Sequence, residues 1–216
     1  MKKIITLLGL LACLSAPELF AQNQDPELAP VLGRLEEKMS VVSSIQTDFV
    51  QEKNLAMFKQ KVILKGRIFI QKPGLLSWRT FTPMRYSLVI NPQSINQWDE
   101  DTGQVQSLSL NKNPSFQVAI QQMQNWFSGS YKSMEGDYHI KLVSQIPLEL
   151  EFIPREKSPA ANFIQKVNIL FQADEQYIKQ ISIFEKAGDS TLLYFINPLL
   201  NQKIPPKAWE VKSDVR

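Results

Sequence analysis

The side chains able to do chemistry in this 216-residue chain are few, and their spacing does not bring them together. His139 is the single histidine, set between Tyr138 and Ile140 in a segment patterned as a strand. A lone histidine supports neither a nucleophilic triad nor a metal site, so it reads as a surface or edge-strand residue. Asp99, Glu100 and Asp101 cluster where a hairpin turn is expected, the ordinary place for such residues. No position singles out a carboxylate pair for glycoside hydrolysis, and the chain has neither a glycine-rich phosphate loop nor a G-x-S-x-G elbow. No catalytic residue or metal ligand is therefore expected. The net charge of +3 is spread along the chain and too mild to argue for nucleic acid. Lys65, Arg67, Arg79 and Arg85 could form a basic stripe on neighbouring strands. Without aromatic residues interleaved as a stacking platform, that stripe reads as a solvated outer face.

What the chain has in quantity is apolar surface: twelve Phe, four Trp and five Tyr accompany an ordinary share of aliphatic residues. Burying a methylene is worth roughly 0.8 kcal/mol, so a 16-carbon acyl chain carries about 13 kcal/mol of transfer free energy. A cavity walled with Leu, Ile, Phe and Trp could draw such a chain from a membrane. Release would need a compensating gain, and a helix that packs onto the emptied apolar face would supply it.

The elements that would position such a wall can be followed along the sequence. Met1-Lys2-Lys3 and the apolar run Ile4 to Leu14 form a basic n-region and an h-region too short to span a bilayer. Residues 1–21 are read as a signal peptide cleaved after Ala21, and residues 22–216 as one domain. Cys13, in Leu10-Leu11-Ala12-Cys13, resembles a lipoprotein processing box and leaves a membrane-tethered form as an alternative. Otherwise the mature chain has no cysteine and must be stabilised by its own core.

From Pro26 to about Ser43, Leu28, Val31, Leu32, Leu35, Met39 and Val42 recur at helical spacing, with Asp25 as the expected N-cap. Short alternating segments follow, broken by Pro, Gly, Asn and Asp, and about eleven strands are expected in an antiparallel meander curling into a barrel or sandwich. In the segment Gly66 to Trp78, Leu64, Ile68 and Ile70 share a face with Lys72. Lys72-Pro73-Gly74 is a turn, and Leu76 and Trp78 rejoin the apolar face. Gly66 marks a bend or bulge. Leu88, Ile90 and Trp98 on the next two strands, and Phe49 before them, complete the expected cavity wall. One helix interrupts the meander after Pro114. Its Phe116, Ile120, Met123 and Phe127 lie at helical spacing and Gly129 stops it, so it is read as a plug or a lid. A last strand is expected from Lys207 to Val211.

Phe49-Val50-Gln51-Glu52 after an amphipathic helix, Gly66 with Lys72-Pro73-Gly74-Leu75-Leu76-Ser77-Trp78, the Asn91 to Trp98 hairpin, and Asn197-Pro198-Leu199-Leu200-Asn201 with Ile204-Pro205 and Trp209 resemble the periplasmic outer-membrane lipoprotein carrier family, LolA. The resemblance implies a mainly β fold with helices: an unclosed antiparallel barrel of eleven strands under a helical lid, holding lipoprotein acyl chains in an apolar cavity. It implies a non-enzymatic, cofactor-free monomer in the periplasm, loaded by an inner-membrane ABC transporter complex and in many bacteria unloaded onto an outer-membrane receptor lipoprotein. A different acylated envelope lipid or glycolipid is the alternative cargo. The residue before the corner proline is usually an arginine that latches the lid. Lys72 stands there and keeps the charge without the planar fork.

Overall fold

The computed structural model describes residues 25–57, 61–110 and 114–212, apart from the side chains of 114–119 and 122. The expected signal segment, Cys13 and the side chain of Phe116 lie outside the described residues. Helix α1 (Leu28–Ser40) precedes strands β1 (Ser44–Asn54), β2 (Lys61–Gln71), β3 (Leu75–Thr82), β4 (Tyr86–Ile90), β5 (Ser94–Asp99) and β6 (Val105–Ser109). Helix α2 (Pro114–Ser128) and a short 3₁₀ helix (Tyr131–Met134) then lead into β7 (Tyr138–Gln145), β8 (Leu148–Pro154), β9 (Ile164–Phe171), β10 (Ile178–Glu185) and β11 (Ser190–Leu200). All eleven strands form one sheet in the order β6-β5-β4-β3-β2-β1-β11-β10-β9-β8-β7. The sheet does not close, because β6 and β7 are its two edges. The strands pair antiparallel throughout.

Alternation sorts each strand onto two faces, since directly paired residues point the same way. One face carries Phe49, Ile68, Ile70, Leu76 and Ile90 from the first half of the sheet. From the second half it carries Leu150, Phe152, Val167, Ile169, Ile181, Leu193 and Phe195, and all of these pack in one cluster with α1 and α2. The sheet therefore curls around its own helices. Gly66 permits part of that curl. The β2–β3 register shifts between Lys65 and Gly66, and a Cβ there would lie 1.8 Å from the Arg79 carbonyl oxygen and 2.7 Å from the Phe49 ring.

Helix α1 begins at Leu28 and ends at Ser40, later and earlier than the sequence pattern suggests. Asp25 accepts hydrogen bonds from the backbone N–H of Glu27 and of Leu28, so Asp25 and Pro26 form a lead-in turn rather than a cap and first helical residue. Leu28, Val31, Leu32, Leu35 and Met39 are all buried. Gly129 ends α2 with φ +85, and a Cβ there would meet Met39 Cβ at 2.7 Å. The two helices thus touch at their C-terminal ends, where only a glycine fits.

Two expectations fail on the outer face. The segment from Lys207 is no strand: Pro206–Trp209 is a 3₁₀ helix, with Pro205 and Pro206 withholding the N–H groups a ladder would need. The basic stripe is not solvated along its length. Arg79 is 2% exposed, and its Nη2 donates to the carbonyl oxygens of Ala208 (2.9 Å), Glu210 (2.7 Å) and, more weakly, Lys207 (3.4 Å). The C-terminal segment lies across β2–β4 as a belt. Ile204, Ala208 and Trp209 pack on Phe69, and Ser87 Oγ donates to the Val211 carbonyl. A guanidinium with its charge facing the carbonyls at the end of a short helix is well placed, because that end carries partial negative charge.

Two substitutions test these packing claims. Gly66→Ala drives a methyl group into a backbone carbonyl that cannot move alone, and is expected to lower unfolding free energy by about 3 kcal/mol, read from urea denaturation. Arg79→Met leaves the belt carbonyls without their charged donor. It is expected to cost about 3 kcal/mol and to speed tryptic cleavage at Lys203 and Lys207; an unchanged cleavage rate would refute the belt.

Candidate functional site

The apolar inner face is covered by two helices held in different ways. Helix α1 is fixed along its length by its five buried side chains and by charge. Arg34 Nε donates to Glu175 Oε2 at 2.8 Å and Lys38 Nζ to the same oxygen at 3.0 Å. These hydrogen bonds hold the Glu175 carboxyl below its usual range, with burial opposing them. Asn201 closes the helix end, donating to the Val41 carbonyl and accepting from the Ser43 N–H. Helix α2 is held less deeply among its described side chains. Phe127 is buried and meets Phe195 edge-on at 5.6 Å, whereas Ile120, Met123 and Trp126 are only half-buried against the core. The Tyr131 hydroxyl donates to the Trp126 carbonyl at 2.7 Å, and its complete burial raises its pKa far above the ordinary tyrosine value, keeping the donor protonated.

Lys72 sits where both helices end. Its Nζ donates to the Met39 carbonyl of α1 at 2.7 Å and, at 3.4 Å, to the Ser128 carbonyl of α2. Burial lowers the Lys72 pKa. The negative ends of two helices act in the opposite sense and favour the ammonium. The turn Lys72-Pro73-Gly74 holds the side chain in register with Ile70 and Leu76, so one lysine on the sheet binds both helix termini.

Most of the wall expected from the sequence is assembled. Phe49 packs on Trp78 with ring centroids 4.7 Å apart. Ile68, Ile70, Leu76 and Ile90 are buried, and Leu64, Trp78 and Leu88 are half-buried on the same face. Trp98 is not among them. It pairs with Ser87, which pairs with Arg79, and so it stands on the outer face, where the Arg85 guanidinium lies 5.8 Å from its ring centroid. The inward residue of β5 is Ile95, and three positions along a strand is an odd step that reverses the face. His139 is exposed on edge strand β7, with Nε2 3.2 Å from Arg155 Nη1. Asp99 accepts from the Thr102 N–H in the β5–β6 turn. Sequence reasoning missed Trp126 and the opposite wall: Phe152, Ile181, Leu193 and Phe195. The alternation in β8 to β11 carried that signal.

Among the described residues, space remains beside α2 in three places. A largely apolar void of about 160 Å³ lies among Trp78, Met123, Trp126, Phe127, Ile181 and Leu193. A second, of about 270 Å³, lies between the β2–β3 turn and α2, reaching from Ile70 and Leu76 to Gln124 and Asn125. Phe127 lines both. A third, of about 180 Å³, runs past Gly74 and Gln124 to Asn91 and Leu110. Each falls short of the roughly 300 Å³ at which ligand pockets usually begin, and together they exceed it. Residues of α2 line all three voids.

The family model described as outer membrane lipoprotein carrier protein LolA matches residues 40–212. The chain is 23% identical over 208 residues to an outer-membrane lipoprotein carrier protein of Hahella chejuensis, covering 96% of this chain and 92% of that one. It is 22% identical over 181 residues to the protein of that name from Legionella pneumophila (strain Corby), covering 82% and 83%. Among solved structures, an uncharacterized conserved protein from Thermus thermophilus is similar in fold, with a TM-score of 0.50 and 10% identity over 84% of this chain and 96% of that one. With the family model spanning all eleven strands and α2, the chain belongs to the outer membrane lipoprotein carrier protein LolA family.

Proposed function

We propose that this protein is a periplasmic carrier that takes up the acyl chains of lipoproteins beneath α2 and shuttles them from the inner to the outer membrane. The observation that carries this reading is the half-seated α2, lying over a two-sided apolar wall with unfilled space under it. Ligand and helix compete for the same surface. An incoming chain displaces Ile120, Met123 and Trp126 from the sheet; when the chain leaves, their return recovers apolar burial at roughly 25 cal/mol per Å². Helix α1, pinned by Glu175 and Asn201, stays as the floor against which α2 closes.

Lys72 sets the balance in this scheme. Its two carbonyl bonds exist together only when α2 is down, so they stabilise the closed, empty state. Loading then requires outside work, supplied by an inner-membrane ABC transporter complex, and unloading is favoured by closure, onto an outer-membrane receptor lipoprotein where one is present. The carrier works as a monomer without cofactor or catalytic step.

Two substitutions at this position test the scheme. Lys72→Met removes from the closed state the 3.4 Å bond to the Ser128 carbonyl, worth about 0.7 kcal/mol at that length, so affinity for a fluorescent long-chain acyl probe should rise about threefold and release should slow. Lys72→Arg, with five donors in a fixed fork, should close α2 more firmly and weaken the probe. Failure of the wild-type protein to bind any acyl probe would sink the carrier reading, and equal affinities in all three proteins would remove Lys72 from the mechanism.

A further inference from the structure

We propose that Gln121, Gln124 and Asn125 of α2, with Asn91 of the β4–β5 turn, form a vestibule that selects acyl ligands with uncharged ester or amide linkages over phosphate-headed lipids. This rests on the carrier reading and adds what the site recognises beyond the acyl chain. The voids under α2 differ in chemistry along their course. Gln51 and Thr191 are the polar residues of the apolar void; its remaining lining is apolar. The other two voids share Gly74, Gln121 and Gln124, and between them add Asn91 and Asn125. A chain seated against Phe127 in the apolar void would leave its polar head among these four carboxamides.

The carboxamides are matched to one class of head. Gln121 Nε2 donates to Asn125 Oδ1 at 3.0 Å, which leaves the Gln121 oxygen as an acceptor and the Asn125 nitrogen as a donor. Asn91 commits its Oδ1 to the N–H groups of Gln93 and Ser94 and has its amide nitrogen to offer. Gln124 Nε2 lies against the corner, 3.9 Å from where a Cβ on Gly74 would stand. The set thus presents neutral donors and acceptors side by side, as ester carbonyls and peptide amides require.

A phosphate is badly served by the same set. It needs charge-assisted donors to replace its water, and the amide oxygens here would face its own. Among the described residues, Lys72 is the one charged side chain lining the three voids, and its ammonium is turned onto the Met39 and Ser128 carbonyls. An acyl chain joined through ester or amide to a peptide therefore fits, and a phospholipid with the same chains does not.

The test is a displacement assay on the mature protein, comparing an N-palmitoyl peptide amide and a diacylglycerol with phosphatidic acid of equal chain length. The neutral ligands are expected to bind at least tenfold more tightly than phosphatidic acid. In the double variant Gln121→Lys/Gln124→Lys, that ratio should fall about tenfold or invert. Equal binding of neutral and phosphate-headed ligands by the wild-type protein overturns the vestibule while leaving the carrier reading intact. An unchanged ratio in the double variant overturns it as well. If no ligand binds, both readings fall.

Discussion

A sheet of eleven strands that curls without closing has a concave apolar face that water must not reach, and the rest of the molecule answers to that constraint. Helix α1 meets it permanently. Its five buried side chains fill the floor, and two cations on its outer side hold the Glu175 carboxylate at the β9–β10 turn. Helix α2 meets it less deeply among its described side chains, with Phe127 buried and Ile120, Met123 and Trp126 half-buried. The difference between the two helices is therefore one of depth. Burial that is complete fixes an element, and burial that is partial lets a ligand of similar area replace it.

The outer face follows a different logic. Most strands of an open sheet can leave that face to water, but β2 to β4 carry Phe69, Ser77, Arg79 and Ser87, all nearly inaccessible. The C-terminal belt covers them, tied by the Arg79 guanidinium to successive backbone carbonyls. The wall that carries Lys72 is thus packed on both sides. That two-sided packing makes its turn a rigid platform, so a lysine at the corner can fix the positions of two helix ends.

Much of the fold was legible because the apolar periods are clean. Leu64, Ile68 and Ile70 alternate in step with Leu76 and Trp78 across a Pro-Gly corner, and Ile120, Met123 and Phe127 repeat at helical spacing. The failures have local causes. Trp98 was placed by its type, as a large apolar residue near others, when the odd step from Ile95 turns it outward. The segment from Lys207 to Val211 was expected as a strand, but two prolines before it and the buried Arg79 beneath it go with a short helix at Pro206–Trp209. Arg79 itself could not be read from the sequence, because arginine on the polar phase of a strand normally faces water. What reverses that expectation is a belt more than 120 residues further on. The same distance effect hid the carboxamides: Gln121 and Gln124 fall on the polar side of their helix, and their neighbour Asn91 is two strands and a turn away.

The edges of the sheet, finally, are consecutive with α2. β6 enters α2 and β7 leaves it through a single 3₁₀ turn, and among the described residues no ladder bonds join the two strands. The seam between them is thus a breach in the hydrogen-bond network, opened on either side of the same helix. β6 is exposed along its whole length, and each edge strand is held by one inner neighbour, β5 or β8. The sheet is built like a split collar, loosest at its two ends, while the strands at its back, β1 and β11, are each paired on both sides.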